Sequence, residues 1–401
     1  MKKQNKITKF YFLFFILFFT SCHFTEEQQT RISTYEEPLD RILYRGQFLK
    51  NNNEADLYKI AKKLMERKNF KIRVFGDSHM AGDFFSDELR SLIFKDADSP
   101  GFIYPLQPKY QQNMLVDYSS THFKILNSLR YRKEDYPLGG IIAKAEKSQA
   151  KVELKLKQEL KQKQEVMIVF RSPNASPAFI VQDKNYDGGI LRSATPNSWS
   201  FATYHLEFPI KITAIQKEVA LGGYFITQSP EDNIIDTLGI NGASSNIWQH
   251  WNQDVFKREL YEIQYDLFII AYGANDVIGE LPHEKMLSNI RQLIRTLKDV
   301  QPNAAILLIT PPSVTKTRTR GRFYIVENFF SAQVAYEEFA KKENILLFNT
   351  HEFMENSGGK GMWIAKNLSK KDLHLTPLGY RFIARKLFQE IQATIFTPSH
   401  E

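Results

Sequence analysis

The strongest constraint on this chain is a periodicity that changes twice. From residue 52 to about 100, and again from 232 onward, short apolar runs alternate with segments of helical spacing; from 101 to 231 that spacing is absent. Asn53–Lys68 carries Leu57, Ile60, Ala61 and Leu64 on one helical face, and Phe84, Phe85, Leu89 and Leu92 repeat the pattern. Pro282–Lys298 does the same with Met286, Leu287, Ile290, Leu293 and Ile294, while Val326–Lys341 and Pro377–Ile391 read as further helices. Five runs read as strands: Lys71–Phe75, Ile234–Leu238, Leu267–Ala271, Ala305–Thr310 and Ile345–Phe348. Parallel strands need long crossovers, usually helical, and those helices cover both faces of the sheet. The expectation is therefore an α/β domain on a five-stranded parallel sheet. In the middle part, Val152, Leu154 and Leu156 alternate with charged residues. Val166–Phe170, Phe179–Val181, Phe201–Phe208 and Val219–Ile226 are short β-type runs broken by Pro, Gly, Asn and Asp. This texture predicts an all-β sandwich inserted between the first and second strands of the α/β domain.

The composition suits two such domains. Among 401 residues, 43% are hydrophobic and 24% charged, which excludes a disordered, collagen-like or multi-spanning membrane chain. The single cysteine, Cys22, excludes an internal disulfide and a cysteine-based zinc site. No His/Cys/Asp cluster has metal-ligand spacing, and no cofactor is expected.

Residues 1–22 read as a targeting segment rather than part of the fold. Lys2, Lys3, Lys6 and Lys9 precede the apolar run Phe10–Phe19, which holds seven aromatics and ends at Thr20-Ser21-Cys22. A basic start, a short apolar run and small residues make a secretory signal, and the run is short for a membrane span. An uncleaved N-terminal anchor helix is the alternative. The small residues before Cys22 resemble a bacterial lipoprotein box, with Phe19 where that box usually has Leu. The resemblance implies lipidation of Cys22 and a working part outside the cytoplasm. Removing residues 1–21, which hold four Lys and no acid, halves the net charge from +8 to +4. That mild excess does not indicate a nucleic-acid partner. Residues 23–51 read as a polar, irregular tether.

Four polar segments fall at loops of the α/β part. Gly76-Asp77-Ser78-His79 follows the first strand, Gly239-Ile240-Asn241-Gly242-Ala243 the second, and Gly273-Ala274-Asn275-Asp276 the third; Asp372-Leu373-His374 precedes the last helix. Carboxyl ends of parallel strands line one crevice, so these loops can converge. Ser78 is a candidate nucleophile if a base takes its proton, and His374 is the candidate base. Asp372 can orient the imidazole and stabilise its cation. Oxyanion donors are available from the Ser78 N–H, the Gly242 N–H and the Asn275 amide. Each segment alone has a plain explanation: Ser78 as a helix cap, Gly273–Asp276 as a turn, His374 as a surface residue. Their joint order favours acyl-transfer chemistry.

The ordered set resembles the SGNH (GDSL-type) hydrolase superfamily, whose four blocks contribute Ser, Gly, Asn and His; these match Ser78, Gly242, Asn275 and His374. The resemblance covers about 52–100 and 232–401 and implies a flavodoxin-like three-layer sandwich. The family usually has Asp-x-x-His, whereas this chain has Asp372-x-His374. Glu352, Asp276 or a backbone carbonyl are the other candidate partners of His374. A narrower resemblance is to periplasmic peptidoglycan O-acetylesterases. It rests on Gly76-Asp77-Ser78-His79-Met80-Ala81 with Asp83-Phe84-Phe85, Gly361-Met362, Leu375-Thr376-Pro377-Leu378-Gly379-Tyr380, and the position and size of the carbohydrate-binding-like insertion at 101–231. It implies removal of acetyl from the C6 hydroxyl of N-acetylmuramic acid through an acetylated Ser78, in the periplasm and without a metal. The domain expectation is a targeting segment at 1–22, a tether at 23–51, hydrolase parts at 52–100 and 232–401, and the β insertion at 101–231.

Three other outcomes use the same residues: a peptidoglycan O-acetyltransferase, a lipase or small-ester hydrolase, and a catalytically dead glycan-binding lipoprotein. Fold does not choose among them. Trp199 and Tyr204 are candidates for sugar stacking or for sandwich core, and Trp248 and Trp251 for cleft lining or for core. Arg318, Arg320 and Arg322 form a basic loop, and Lys144–Lys163 a lysine-rich stretch that suits a solvated face better than a polyanion contact.

Overall fold

The computed structural model describes residues 37–94, 99–160, 162–317 and 323–396. The segment expected to serve in targeting, with Cys22, and Arg318, Arg320 and Arg322, lie outside the described residues. Among the described residues no helix is long and apolar enough to cross a membrane.

The central sheet is built from β1 (Leu49–Lys50), β2 (Lys71–Gly76), β3 (Ile234–Gly239), β4 (Leu267–Ala271), β5 (Ala305–Ile309) and β6 (Leu346–Phe348). Their spatial order is β1-β6-β5-β4-β2-β3. Strands β2 to β6 pair in parallel, whereas β1 runs antiparallel to β6. The sheet thus has one strand more than the five expected. β1 also corrects the tether: residues 37–50 are not irregular throughout. Leu39–Leu43 is a short helix whose Ile42 and Leu43 are buried, Phe48 is buried, and the Glu390 carboxylate accepts from the Phe48 and Leu49 N–H groups. Scattered apolar residues in that stretch have no period, yet they find apolar partners on the closing helix.

Two layers of helices cover the sheet. One face carries α1 (Glu54–Glu66), α2 (Phe84–Ile93) and α6 (Pro377–Phe396); the other carries α3 (Gln253–Leu260), α4 (His283–Val300) and α5 (Asn328–Glu343). Strand alternation decides which side chain goes where. Ile72, Val74, Ile269 and Leu307 face the first set of helices, and Phe75, Phe268, Ile270 and Leu308 the second. Asn53 caps α1 by accepting from the Asp56 N–H at 3.0 Å, and Leu57, Ile60, Ala61 and Leu64 form its buried stripe.

The strands between Gly101 and Thr227 form two antiparallel sheets. One orders Val116–Thr121, Lys151–Leu156, Ile210–Ala214, Pro177–Gln182 and Gly188–Arg192; the other holds Trp199–Leu206, Gln164–Arg171, Ala220–Thr227, Ile141–Ala145 and Phe123–Asn127, with Gly101–Ile103 beside Ala220–Thr227. Val152, Leu154, Val181 and Ile212 of the first sheet pack on Ile168, Phe170 and Ile226 of the second. The second sheet is apolar on its other face as well. There Met167, Val169 and Phe225 join Ile234, Leu238 and Phe256 of the α/β part in one core. Trp199, Trp248 and Trp251 are buried in that shared core, so they are not stacking platforms; Tyr204 is half-buried against the sandwich core.

Polar ties reinforce the junction. The fully buried Arg73 of β2 pairs with Asp236 of β3 through two bonds of 2.8 and 2.9 Å. Asp236 also accepts from the Phe102 N–H of the β part at 2.9 Å. The buried Glu259 of α3 accepts from the Leu138 N–H at 2.6 Å, and burial pushes its carboxyl up to about 8. Buried carboxyl groups bonded to backbone donors across the junction tie the two parts to each other.

Candidate active site

The register of the parallel strands creates the site. Gly76 of β2 lies level with Gly239 of β3 and Ala271 of β4, so the loops that follow start at one edge. The chain goes from β2 to β3 on one side and returns past it to β4 on the other, and crevices form at such reversals. After Gly76 the backbone turns twice on the Asp77 carbonyl, which accepts from the Met80 and Ala81 N–H groups at 3.1 and 3.2 Å. Ser78 sits in this turn, partly exposed. It is not a helix cap, since α2 begins six residues later with Asp83 at its N-cap position. Gly239 permits the close approach of the first two loops, for a Cβ there would lie 2.4 Å from the Ala81 nitrogen.

The Ser78 Oγ lies 3.1 Å from His374 Nε2 across a separation of 296 residues. His374 Nδ1 lies 3.3 Å from Asp372 Oδ1, and the same oxygen accepts from the His374 backbone N–H at 2.8 Å. With the proton on Nδ1 facing Asp372, Nε2 keeps a lone pair for the serine hydroxyl. The Asp-x-His spacing therefore still puts the carboxylate at the imidazole. Partial burial works to raise the Asp372 carboxyl, but the bonds from His374 outweigh it and hold the carboxyl below its ordinary value. The other candidate partners are engaged elsewhere: Glu352 with Lys50 at 2.7 Å, and Asp276 with the N–H and hydroxyl of Ser245.

Gly242 has φ +80°, a left-handed conformation that favours glycine. Asn275 donates from Nδ2 to the Ala243 carbonyl at 2.9 Å, which ties its amide to the Gly242 loop. One amide proton is used this way, so the second remains available to an oxyanion. Asp276 braces the same junction through Ser245, whose hydroxyl also accepts from Asn289 at 3.0 Å. Burial raises the Asp276 carboxyl, while its bonds to Ser245 oppose this. The four blocks thus meet, with the Gly242 and Asn275 loops bonded directly to each other.

Side chains to which sequence reasoning gave no role line the rear of the site. Asp77 is buried, accepts from the His79 N–H at 2.9 Å, and is pushed up to about 7 by burial, with the nearby Asp276 charge adding to the effect. His79 packs 5.7 Å, centroid to centroid, from His374 and has Nδ1 3.1 Å from the Tyr380 hydroxyl. Burial, and then the His374 charge, press it down to about 3, so it is neutral at physiological pH. Lys360 is buried and donates to the Asp372 carbonyl at 2.6 Å. Asp77 and His79 flank Ser78 in sequence and Tyr380 ends one of the motif stretches, but Lys360 and Ser245 carried no sequence signal.

The β part borders the same loops. The Gln112 N–H donates to the Ala81 carbonyl at 3.0 Å, and Asn241 Nδ2 donates to the Tyr110 carbonyl at 3.1 Å. Tyr110 is 82% exposed, with the Lys109 ammonium 4.8 Å from its ring centre. Among the described residues, no group of three or more His, Cys, Asp or Glu is placed to hold a metal ion.

Residues 99–211 match the family described as peptidoglycan O-acetylesterase, N-terminal, and residues 219–382 match the GDSL-like lipase/acylhydrolase family. The second match starts after the Ser78 block, which reaches the site through the pairing of β2 between β3 and β4. A solved structure titled "Peptidoglycan O-acetylesterase in action, 5 min" superposes with a TM-score of 0.75 at 23% identity, covering 87% of this chain and 99% of that one. A family two carbohydrate esterase from Cellvibrio japonicus aligns at a TM-score of 0.29 and 11% identity, over 70% of this chain and 98% of that one. No curated protein matches the chain significantly. The chain therefore carries a GDSL-like lipase/acylhydrolase domain joined to a peptidoglycan O-acetylesterase N-terminal domain, and it is an SGNH-type ester hydrolase.

Proposed function

We propose that this protein is a serine esterase that removes O-acetyl groups from the C6 hydroxyl of N-acetylmuramic acid in peptidoglycan. The observation that carries the reading is the 3.1 Å contact between Ser78 Oγ and His374 Nε2, inside a chain whose matched segments are described as peptidoglycan O-acetylesterase, N-terminal, and GDSL-like lipase/acylhydrolase. The domain partition (52–100 and 232–401 as a flavodoxin-like hydrolase, 101–231 as its insertion) belongs to the same reading. So does export of the chain with lipidation at Cys22 and a periplasmic place of action, where its polymer substrate lies.

The proposed reaction follows from the geometry. His374 Nε2 takes the Ser78 proton as Oγ attacks the acetyl carbonyl carbon. The oxyanion is held by the N–H groups of Ser78 and Gly242 and by the Asn275 amide, while Asp372 stabilises the imidazolium. Collapse breaks the bond to the sugar oxygen, which receives the proton from His374. Water then attacks acetyl-Ser78 with His374 again as base, Ser78 recovers its proton, and acetate leaves.

The test is acetate release from O-acetylated cell wall, with the same wall stripped of O-acetyl by mild base as control. The expected result is release from the first alone, lost in Ser78→Ala and in His374→Ala. Equal release by Ser78→Ala would refute the mechanism, and predominant transfer of acetyl to sugar would refute hydrolysis as the outcome.

A further inference from the structure

Asp372 occupies an awkward position for a residue that must steer a base. Its side chain is 52% exposed, and its Oδ1 serves two donors of His374 at once, at 2.8 and 3.3 Å. A half-solvated carboxylate on a surface loop does not orient an imidazole by itself, since water competes for both its oxygens. Something else must hold the backbone that carries it.

The ends of the loop are anchored on both sides of Asp372: Ser369 pairs with Leu375, the Ser369 hydroxyl donates to the Lys370 carbonyl at 3.1 Å, and the Leu375 N–H donates to the Tyr380 hydroxyl at 3.3 Å. The Lys370 N–H donates to the His374 carbonyl at 3.0 Å, and the Thr315 hydroxyl donates to the Lys371 carbonyl at 3.3 Å. The carbonyl of Asp372 itself is held by the Nζ of Lys360, at 2.6 Å. Lys360 projects from the short helix Gly359–Ala365, and only 4% of its surface is exposed. An ammonium is costly to bury, and a methionine would fill the space without that cost. Burial pulls the Lys360 ammonium down to about 8, with Asp372 opposing the shift. A cation kept at such a cost, with its nitrogen on the backbone of one catalytic-loop residue, has a local task.

We infer that Lys360 is a positioning residue for the proposed reaction. It grips the Asp372 carbonyl, thereby fixing the angle at which the Asp372 carboxylate meets His374 Nδ1, and its charge steadies that carboxylate. It touches neither Ser78 nor the substrate and acts only through Asp372. This role rests on the esterase reading above.

The test compares Lys360→Met, which keeps length and removes donor and charge, with Lys360→Arg, which keeps both. The assay is hydrolysis of a small acetyl ester, 4-nitrophenyl acetate, with folding monitored by thermal melting. Lys360→Met is expected to lose about tenfold in kcat with KM changed by less than about twofold, a plausible cost for a loosened catalytic geometry. Lys360→Arg should recover most of that loss. In an Asp372→Ala background the Lys360→Met change should cost nothing further, because the group it positions is gone. If Lys360→Met keeps the wild-type kcat, or if its loss persists undiminished in Asp372→Ala, the inference is wrong. Should the methionine variant not fold, Lys360→Gln carries the same double-mutant test, and full additivity with Asp372→Ala would overturn it. A wild-type protein inactive on every acetyl ester would instead refute the esterase reading and is distinguishable at once.

Discussion

Replacing Asp372 by Asn tests the catalytic geometry most directly. Asn has the same shape, and its Oδ1 can still accept from the His374 backbone N–H, so the change removes the charge and little else. The pair separation is 3.3 Å. Two unit charges at that distance attract by about 1.3 kcal/mol in bulk water and about 5 kcal/mol at the effective dielectric of a protein surface. The Asp372 side chain is 52% exposed, which places the pair toward the water limit. The imidazolium forms only as the reaction proceeds, so this attraction is felt in the transition state. About 1.4 to 2.7 kcal/mol of it corresponds to a loss of roughly 10- to 100-fold in kcat. A fully buried triad aspartate, by contrast, can cost about 10⁴-fold on the same substitution. Steady-state hydrolysis of an acetyl ester near neutral pH reads the effect, with KM expected to stay nearly constant. A loss below about twofold would remove Asp372 as the orienting group, and a loss near 10⁴-fold would mean that exposure does not weaken this pair.

Three further outcomes follow from the structure. Asn275→Ala removes both an oxyanion donor and the tie to the Ala243 carbonyl, and it should lower kcat by about 10²- to 10³-fold with a small effect on KM. Burial keeps Asp77 protonated in the folded state up to about 7, whereas the unfolded carboxyl releases its proton near about 4. Its contribution to stability is complete below about pH 4 and is lost as pH rises through about 7, so the melting temperature of Asp77→Asn should fall less over that window than that of wild type. Arg73→Met leaves the buried Asp236 without its cation and should destabilise the fold by about 3–5 kcal/mol in denaturant unfolding.

Much of the site was readable because its signals are local. Ser78, Gly242 and Asn275 each follow a recognisable strand, and the Asp372-x-His374 pair is two residues apart, so the sequence already shows that the carboxylate can reach the ring. The residues that brace the site were not readable. Asp276 meets Ser245 from 31 residues away, and Lys360 meets the backbone of Asp372 rather than its side chain. Neither contact leaves a pattern in consecutive residues. The tryptophans were ambiguous for a related reason: an aromatic residue suits a sugar platform and a core equally well until the packing partner is known. Here the core shared by the second β sheet and the α/β part takes up Trp199, Trp248 and Trp251.

What the amino-acid order determined by itself is whatever a period of two or 3.6 residues can express: five parallel strands, their covering helices, a β-rich insertion, and a set of polar loops at strand ends. Tertiary structure decided the rest. It added β1 as an antiparallel edge, folded part of the supposed tether onto the closing helix, and fused the two domains through one core and the Arg73–Asp236 pair. It also left Asp372 at the surface and set a buried lysine behind it. Periodicity says which face of an element is apolar, but the partner of that face is chosen by burial and pairing among residues hundreds of positions apart.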